Sequence, residues 1–300
     1  AYDNRACTVQ DVMWMSGGLN IMDRNAKPVI AMMYDFDKTL CTKDMQEYGF
    51  IPNLGLKPEQ FWSEAGSLAK DHKMDRVLSY MYLMIRKSHD HHSSIRRDTF
   101  VSLGSSIEFY PGVIDWFSRI NRYGREIGAD VEHYIISSGL KEIIEGCQIY
   151  KEFKEVYACE FYYDENGVAV WPKSVINYTT KTQFLFRINK GVLDVSDDDS
   201  LNRFLPDDER SVPFRNMLYF GDGPTDIPCM KLVKSNGGYS IAVYKSRKTN
   251  VVRELLTDGR VDFIARADYS EGKELDRMVK KIMAKMVATD ELVELHRKQF

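Results

Sequence analysis

The sequence predicts an α/β protein, a parallel sheet core with a small helical unit inserted after the first strand. Three observations predict it. First, Val29-Ile30-Ala31-Met32-Met33-Tyr34 stops abruptly at Asp35-Phe36-Asp37-Lys38-Thr39-Leu40, and Met217-Leu218-Tyr219-Phe220 stops at Gly221-Asp222-Gly223-Pro224-Thr225-Asp226. Runs this short and continuously apolar suit strands buried on both faces of a parallel sheet. Second, residues 57–87 abandon the β-like pattern, and their apolar positions recur at three- and four-residue steps. Third, the run Val131–Ile136 closes in Ser137-Ser138-Gly139 and passes directly into a helical pattern through Ile143 and Ile144. Strands that alternate with helices are the mark of an α/β sheet.

Residues 1–27 lack a basic start followed by an apolar stretch, so they read as a polar lead-in and not as a secretory leader. Behind the first acidic motif, Phe61, Trp62, Ala65, Leu68 and Ala69 form one helix face, with Pro58 placed for its first turn. Val77, Leu78, Met81, Tyr82, Met84 and Ile85 form a second. The polar break Ser88–Ser94 ends that helix, a short amphipathic piece follows at Phe100–Leu103, and Tyr110-Pro111-Gly112-Val113 returns the chain to the core. The inserted unit is thus expected over 44–107 and the core over 28–43 and 108–300.

A helix through Trp116, Phe117 and Ile120 leads to the strand at Val131. Asn166-Gly167, between the alternating runs of Glu160–Val170, predicts a hairpin. Thr179 and Thr180 are cap candidates for a helix from Lys181 through Phe184, Leu185 and Ile188. Residues 194–211 are acidic and loop-like; they lack the spacing and closing glutamate of an EF-hand, which predicts a solvated insertion. A helix through Met230 and Val233, strands at Tyr239–Val243 and Val261–Ala265, and an amphipathic helix over Lys273–Met286 complete the chain.

The 300 residues are 44% hydrophobic and 28% charged, ordinary values for a globular chain with a sizeable core. A net charge of −3 gives no electrostatic reason for nucleic acid or an anionic membrane as partner, and no apolar stretch is long enough to cross a bilayer. Cys7, Cys41, Cys147, Cys159 and Cys229 are widely spaced and odd in number. Reduced thiols in a cytoplasmic protein are expected, with Cys41 and Cys229 as packing residues and not nucleophiles.

Ligands of open α/β sheets bind at the carboxyl ends of the strands. Asp35, Asp37, Asp222 and Asp226 would therefore crowd into one crevice and repel each other unless a cation neutralises them, which predicts Mg²⁺. Transfer of a phosphate dianion depends on such neutralisation. Asp35 is placed to attack phosphorus and form an aspartyl-phosphate, and Asp37, two residues on, to protonate the leaving oxygen. Asp35, the Asp37 carbonyl and Asp222 would hold the ion, with Asp226 supporting them. Ser137 can donate to the phosphoryl group, and Lys181, at a helix start, can offset its charge.

With these four motifs in this order, the chain resembles the haloacid dehalogenase-like superfamily, in particular its phosphatases. The resemblance covers roughly residues 28–268. It implies a Rossmann-like core, a helical cap made of the insertion, and, from the hairpin at 160–170, the branch that contains phosphoserine phosphatase. The second aspartate, Asp37, sets the chain apart from relatives that dehalogenate carbon or pump ions. The resemblance also places Thr39, Ser138, Gly139 and Asp44 around the substrate. Asp44 stands where phosphoserine phosphatases usually carry glutamate, and Ser137-Ser138-Gly139 replaces their Ser-Gly-Gly. Ser137 is preferred to Ser138 because Gly139-Leu140 then keeps the spacing into the helix, and Lys181 to Lys190, which falls at its helix end.

In the inserted unit Arg86, Lys87, Arg96 and Arg97 could hold an anionic leaving group, though solvated faces are the simpler expectation. Trp62, Tyr80 and Tyr82 could line a pocket. His89-Asp90-His91-His92 lacks companion ligands at helical spacing, so an exposed loop is expected there. The resulting expectation is a phosphatase acting on a small phosphorylated metabolite. A phosphotransferase or mutase on the same core, or a non-catalytic binding protein, stands as the alternative; substrate and oligomeric state are open.

Overall fold

A computed structural model of the protein describes residues 27–92, 94–245 and 250–299. Cys7 and the lead-in expected over 1–27, apart from Lys27, lie outside the described residues. Seven strands form one sheet: β1 (Val29–Tyr34), β2 (Asp130–Leu140), β3 (Glu155–Tyr163), β4 (Ala169–Ser174), β5 (Met217–Gly221), β6 (Tyr239–Tyr244) and β7 (Phe263–Arg266). Their order is β4-β3-β2-β1-β5-β6-β7. All pairings are parallel except the antiparallel β3–β4 edge.

The most apolar strand sits in the middle for a physical reason. Ile30 through Tyr34 are wholly shielded from solvent, which only a central strand covered on both faces allows. The Tyr34 hydroxyl is kept satisfied there by Trp116 Nε1 (2.9 Å) and His133 Nδ1 (3.1 Å). From β1 the chain builds outward through β2 and β3 on one side and through β5, β6 and β7 on the other. The switch between the two directions falls between β1 and β5, where such sheets open a crevice.

β1 is followed by the inserted helices α1 (Phe50–Asn53), α2 (Pro58–His72), α3 (Arg76–Asp90) and α4 (Arg97–Leu103). Pro58 opens α2 as its spacing predicts, and α2 packs on α3 with the Ser79 hydroxyl donating to Ala65 O across the seam (2.8 Å). Then come α5 (Val113–Glu126), α6 (Lys141–Glu145), α7 (Lys181–Lys190), α8 (Asp198–Asn202), α9 (Ile227–Ser235), α10 (Asn250–Thr257) and α11 (Glu274–Arg297).

Three local expectations are refined. The hairpin forms, but its loop spans Asp164–Val168, with Asp164 Oδ1 accepting from the Asn166 and Val168 amides and Gly167 at φ 70°. The acidic stretch holds a short helix, α8, because Arg187 is buried beneath it and donates to the carbonyls of Asp194, Val195 and Asp197 and to the Asp198 carboxylate. The final helix runs well beyond Met286, since Asp290 on its later turns accepts from Arg215 (2.7 Å) and Asn216.

Candidate active site

Chain direction and register bring the two acidic motifs together. The Asp35 amide donates to Phe220 O (2.9 Å), so the first residue past β1 is locked beside the end of β5. The chain then turns tightly, with the Leu40 amide donating back to Phe36 O and Lys38 in the left-handed region at φ 56°. A lysine pays no such conformation lightly, and strained residues of this kind gather at functional sites. On the β5 side, Gly221 permits a close approach: a Cβ there would fall 2.5 Å from Asp226 Cγ. Asp226 therefore folds back beneath its own strand, accepting from Tyr219 OH (2.8 Å) and the Asp222 amide (3.3 Å).

Lys181 joins the motifs. It is 1% exposed, and its Nζ donates to Asp35 Oδ1 (2.7 Å) and Asp226 Oδ1 (2.8 Å). Asp35, Asp222 and Asp226 each offer a carboxylate oxygen, and these oxygens lie within 4.8 Å of one another. The Asp37 carboxylate stands outside that trio and accepts from the Met45 amide (2.8 Å).

The electrostatics follow from placing so many acids around one buried cation. Burial pushes Asp35 up to about 7; Lys181 opposes the rise and Asp226 adds to it. Asp37 is driven well above the usual carboxylate range by burial, then by Asp44 and Asp35. Asp222 is driven up by burial, then by Asp226 and Asp35. Burial works to lower Lys181, but the Asp226 and Asp35 carboxylates outweigh it and hold the ammonium above its ordinary value. The trio supplies hard oxygen donors in a surplus of negative charge, which suits a small divalent cation such as Mg²⁺.

A cavity of about 1000 Å³ opens over these residues. Asp35, Asp37, Lys38, Ser137, Ser138, Lys181 and Asp222 line its floor, and Gln46, Trp62, Met74, Asp75, Arg76 and Tyr80 of the helical insertion line its roof. Ser137 is fully buried and its Oγ accepts from the Gly139 amide (3.0 Å), which leaves its hydroxyl hydrogen to donate elsewhere. Asp44 lines the cavity as an ion pair with Lys38. Gly139 lies close behind: a Cβ on it would come within 2.9 Å of Asp37 Oδ2. Thr39, by contrast, is completely buried, and its Oγ1 has no hydrogen-bond partner.

Other sequence candidates fall elsewhere. Lys190 donates to Leu201 O and Arg203 O, tethering the acidic insertion. Lys87 pairs with Glu64, Arg96 donates to Asn166 O and Arg97 pairs with Glu145, while Arg86 is exposed away from the cavity. His89, His91 and His92 are exposed, and among the described residues the aspartate trio is the metal-capable cluster. Cys41, Cys147, Cys159 and Cys229 are buried free thiols, and burial pushes Cys229 up to about 12.

Three contributors to this pocket, Arg76, the Met45 amide and Asn177, escape sequence reasoning. Arg76 opens α3 at the cavity, where periodicity of apolar residues gives no signal for it. The amide of Met45 aims Asp37, a backbone contact with no sequence signature. Tyr80, an open candidate for the pocket, is tied to it by its hydroxyl, which donates to Ser138 O (2.7 Å). Asn177, and not the threonine pair, organises the start of α7. Its Oδ1 accepts from the Thr179 and Thr180 amides, because Thr180 itself is helical in conformation and makes no side-chain cap. An asparagine followed two and three residues later by threonine was the available signal.

A carboxylate–lysine centre at the switch point of a parallel sheet defines a class of α/β hydrolase. The family profile of haloacid dehalogenase-like hydrolases matches residues 32–231, and the chain belongs to that family. A protein of Borreliella burgdorferi, described only as uncharacterized, is 26% identical over 274 residues, covering 82% of this chain and 94% of its own. Among solved structures, a HAD family hydrolase from Salmonella enterica serovar Typhi matches with a TM-score of 0.56 at 14% identity, covering 85% of this chain and 72% of the other. A substrate-bound phosphoserine phosphatase matches at 0.55 and 14% identity, covering 85% and 99%. A probable phosphoserine phosphatase from Vibrio cholerae gives 0.55 at 13% identity, covering 90% and 68%. These likenesses establish a shared fold.

Proposed function

We propose that the protein is a Mg²⁺-dependent phosphatase that hydrolyses a small phosphate monoester through an aspartyl-phosphate. One observation carries this: Lys181 Nζ bridges Asp35 and Asp226 while Asp222 brings a third carboxylate within 4.8 Å, all at the end of β1 and β5. Bound between Asp35, the Asp37 carbonyl and Asp222, Mg²⁺ would supply charge neutralisation for the dianionic phosphoryl group.

The chain's own residues do the rest. Asp35, ionised and oriented by Lys181, attacks phosphorus, and the P–O bond to the alcohol breaks. Asp37 gives its proton to the departing oxygen, a task suited to a carboxyl held well above its usual range. It then takes a proton from the water that attacks the acyl phosphate, which releases phosphate and restores Asp35. Ser137 donates its hydroxyl hydrogen to a phosphoryl oxygen, and Asp226 keeps Lys181 in place. Helices α1–α4 form a cap over the cavity, where Ser138, Gly139 and Asp44 border the substrate. Thr39 supports the turn from beneath, its carbonyl accepting from Tyr269 OH (2.9 Å). The partner is a small phosphorylated metabolite in the cytoplasm, a reading supported by the buried free thiols.

Hydrolysis of p-nitrophenyl phosphate with and without Mg²⁺ tests the proposal. Turnover should require the metal and vanish in Asp35→Asn. Full activity in that variant, or in excess chelator, would overturn it.

A further inference from the structure

The cap roof and the catalytic floor meet at a hydrogen-bonded pair that the chemistry above does not use. Asp75 precedes α3, and its Oδ1 accepts from the Val77 and Leu78 amides (2.8 and 3.1 Å), capping the helix. Its second oxygen reaches across the cavity wall to Asn177 Nδ2 (3.0 Å). Asn177 in turn shapes the turn that delivers the lysine: its Oδ1 accepts from the amides of Thr179 (3.1 Å) and Thr180 (2.9 Å) and from the Thr179 hydroxyl (2.8 Å). Its backbone carbonyl accepts from the Lys181 amide (3.0 Å). With three donors on Oδ1, the amide has one orientation, and its NH₂ must face Asp75.

From this geometry we infer that Asp75 and Asn177 are a coupled pair of positioning residues, through which the seating of α3 over the cavity sets the placement of Lys181. The inference rests on the phosphatase reading. A charged acceptor on an amide donor is among the stronger hydrogen bonds, and here it ties the start of α3 to the turn that opens α7. When α3 lifts, Asn177 loses its Asp75 partner in the cap, and the turn that holds the Lys181 amide is freed. The centre is then complete only when the roof is seated.

The test uses Asp75→Ser, Asn177→Ala and the double variant of the full chain, assayed on p-nitrophenyl phosphate with Mg²⁺ and by amide exchange without substrate. Serine still caps α3 but is too short to reach Asn177. Asp75→Ser should lower kcat about tenfold with KM nearly unchanged, and the double variant should be no slower than Asn177→Ala alone. Exchange at Thr179 and Thr180 should quicken about tenfold in Asp75→Ser. Losses that multiply in the double variant, or a rise in KM at constant kcat, would overturn the coupling. Unchanged exchange at Thr179 and Thr180 would overturn it too, even if the wild-type protein hydrolysed no phosphate ester. That last outcome would sink the phosphatase reading separately.

Discussion

Replacing Asp35 with asparagine should stabilise the metal-free protein while abolishing its chemistry. Asp35, Asp222 and Asp226 share one buried cation, Lys181, so the apo centre carries uncompensated negative charge. The folded protein holds Asp35 at about 7 against an ordinary 3.8. Between those values the unfolded chain has released the proton and the folded one retains it. Stability is therefore intact below the unfolded value and falls as pH climbs through about 7. At about 1.4 kcal/mol per pH unit, that span sets a ceiling of about 4 kcal/mol. Asparagine removes the charge, and the Lys181 attraction that it forgoes is what already holds Asp35 down to about 7 against burial and Asp226. The gain is therefore up to about 4 kcal/mol at pH 8, and below about pH 4 it should disappear because folded and unfolded chains then both keep the proton. Urea unfolding in chelator at both pH values measures it. With saturating Mg²⁺ the order should reverse, since binding stabilises the wild type selectively. A variant no more stable than wild type at pH 8, or equally stabilised at both pH values, would refute this electrostatic account.

Other predictions are more local. Asp222→Asn should raise the Mg²⁺ concentration needed for half-maximal activity by about tenfold or more, read from metal titration of initial rates. Lys181→Met should cut kcat by about 10²–10³, as loss of one preorganised charge at the reacting group does, measured by steady-state kinetics. His133 is buried between Tyr34 and Asn121, and burial lowers it to about 3 from 6.5. The unfolded chain therefore binds the proton first, and stability should decline as pH falls from about 6.5 by up to roughly 1.4 kcal/mol per unit. His133→Gln should flatten that slope in denaturant titrations between pH 6 and pH 4. Arg187→Met should destabilise the fold by about 3 kcal/mol while leaving turnover near wild type, since the side chain holds the 194–198 segment and not the cavity.

The strands and their acidic ends were legible in the sequence because both signals are local. Continuous apolar runs dictate burial on two faces, and a carboxylate immediately after such a run must emerge at the strand's end. The helical insertion was legible for the same reason, as its apolar spacing is a property of neighbouring residues. What tertiary structure decided was which charges meet. Lys181 and Lys190 lie on one helix, and only packing shows that the first reaches Asp35 and Asp226 while the second reaches the carbonyls of Leu201 and Arg203. Asp75 and Asn177 are 102 positions apart, so no window of sequence could pair them. The left-handed Lys38, the Met45 amide aimed at Asp37 and the fold-back of Asp226 under Gly221 likewise arise from the whole chain closing on itself. Patterns of burial are written residue by residue, whereas hydrogen bonds and ion pairs between distant segments exist only after the sheet has brought those segments within a few ångströms.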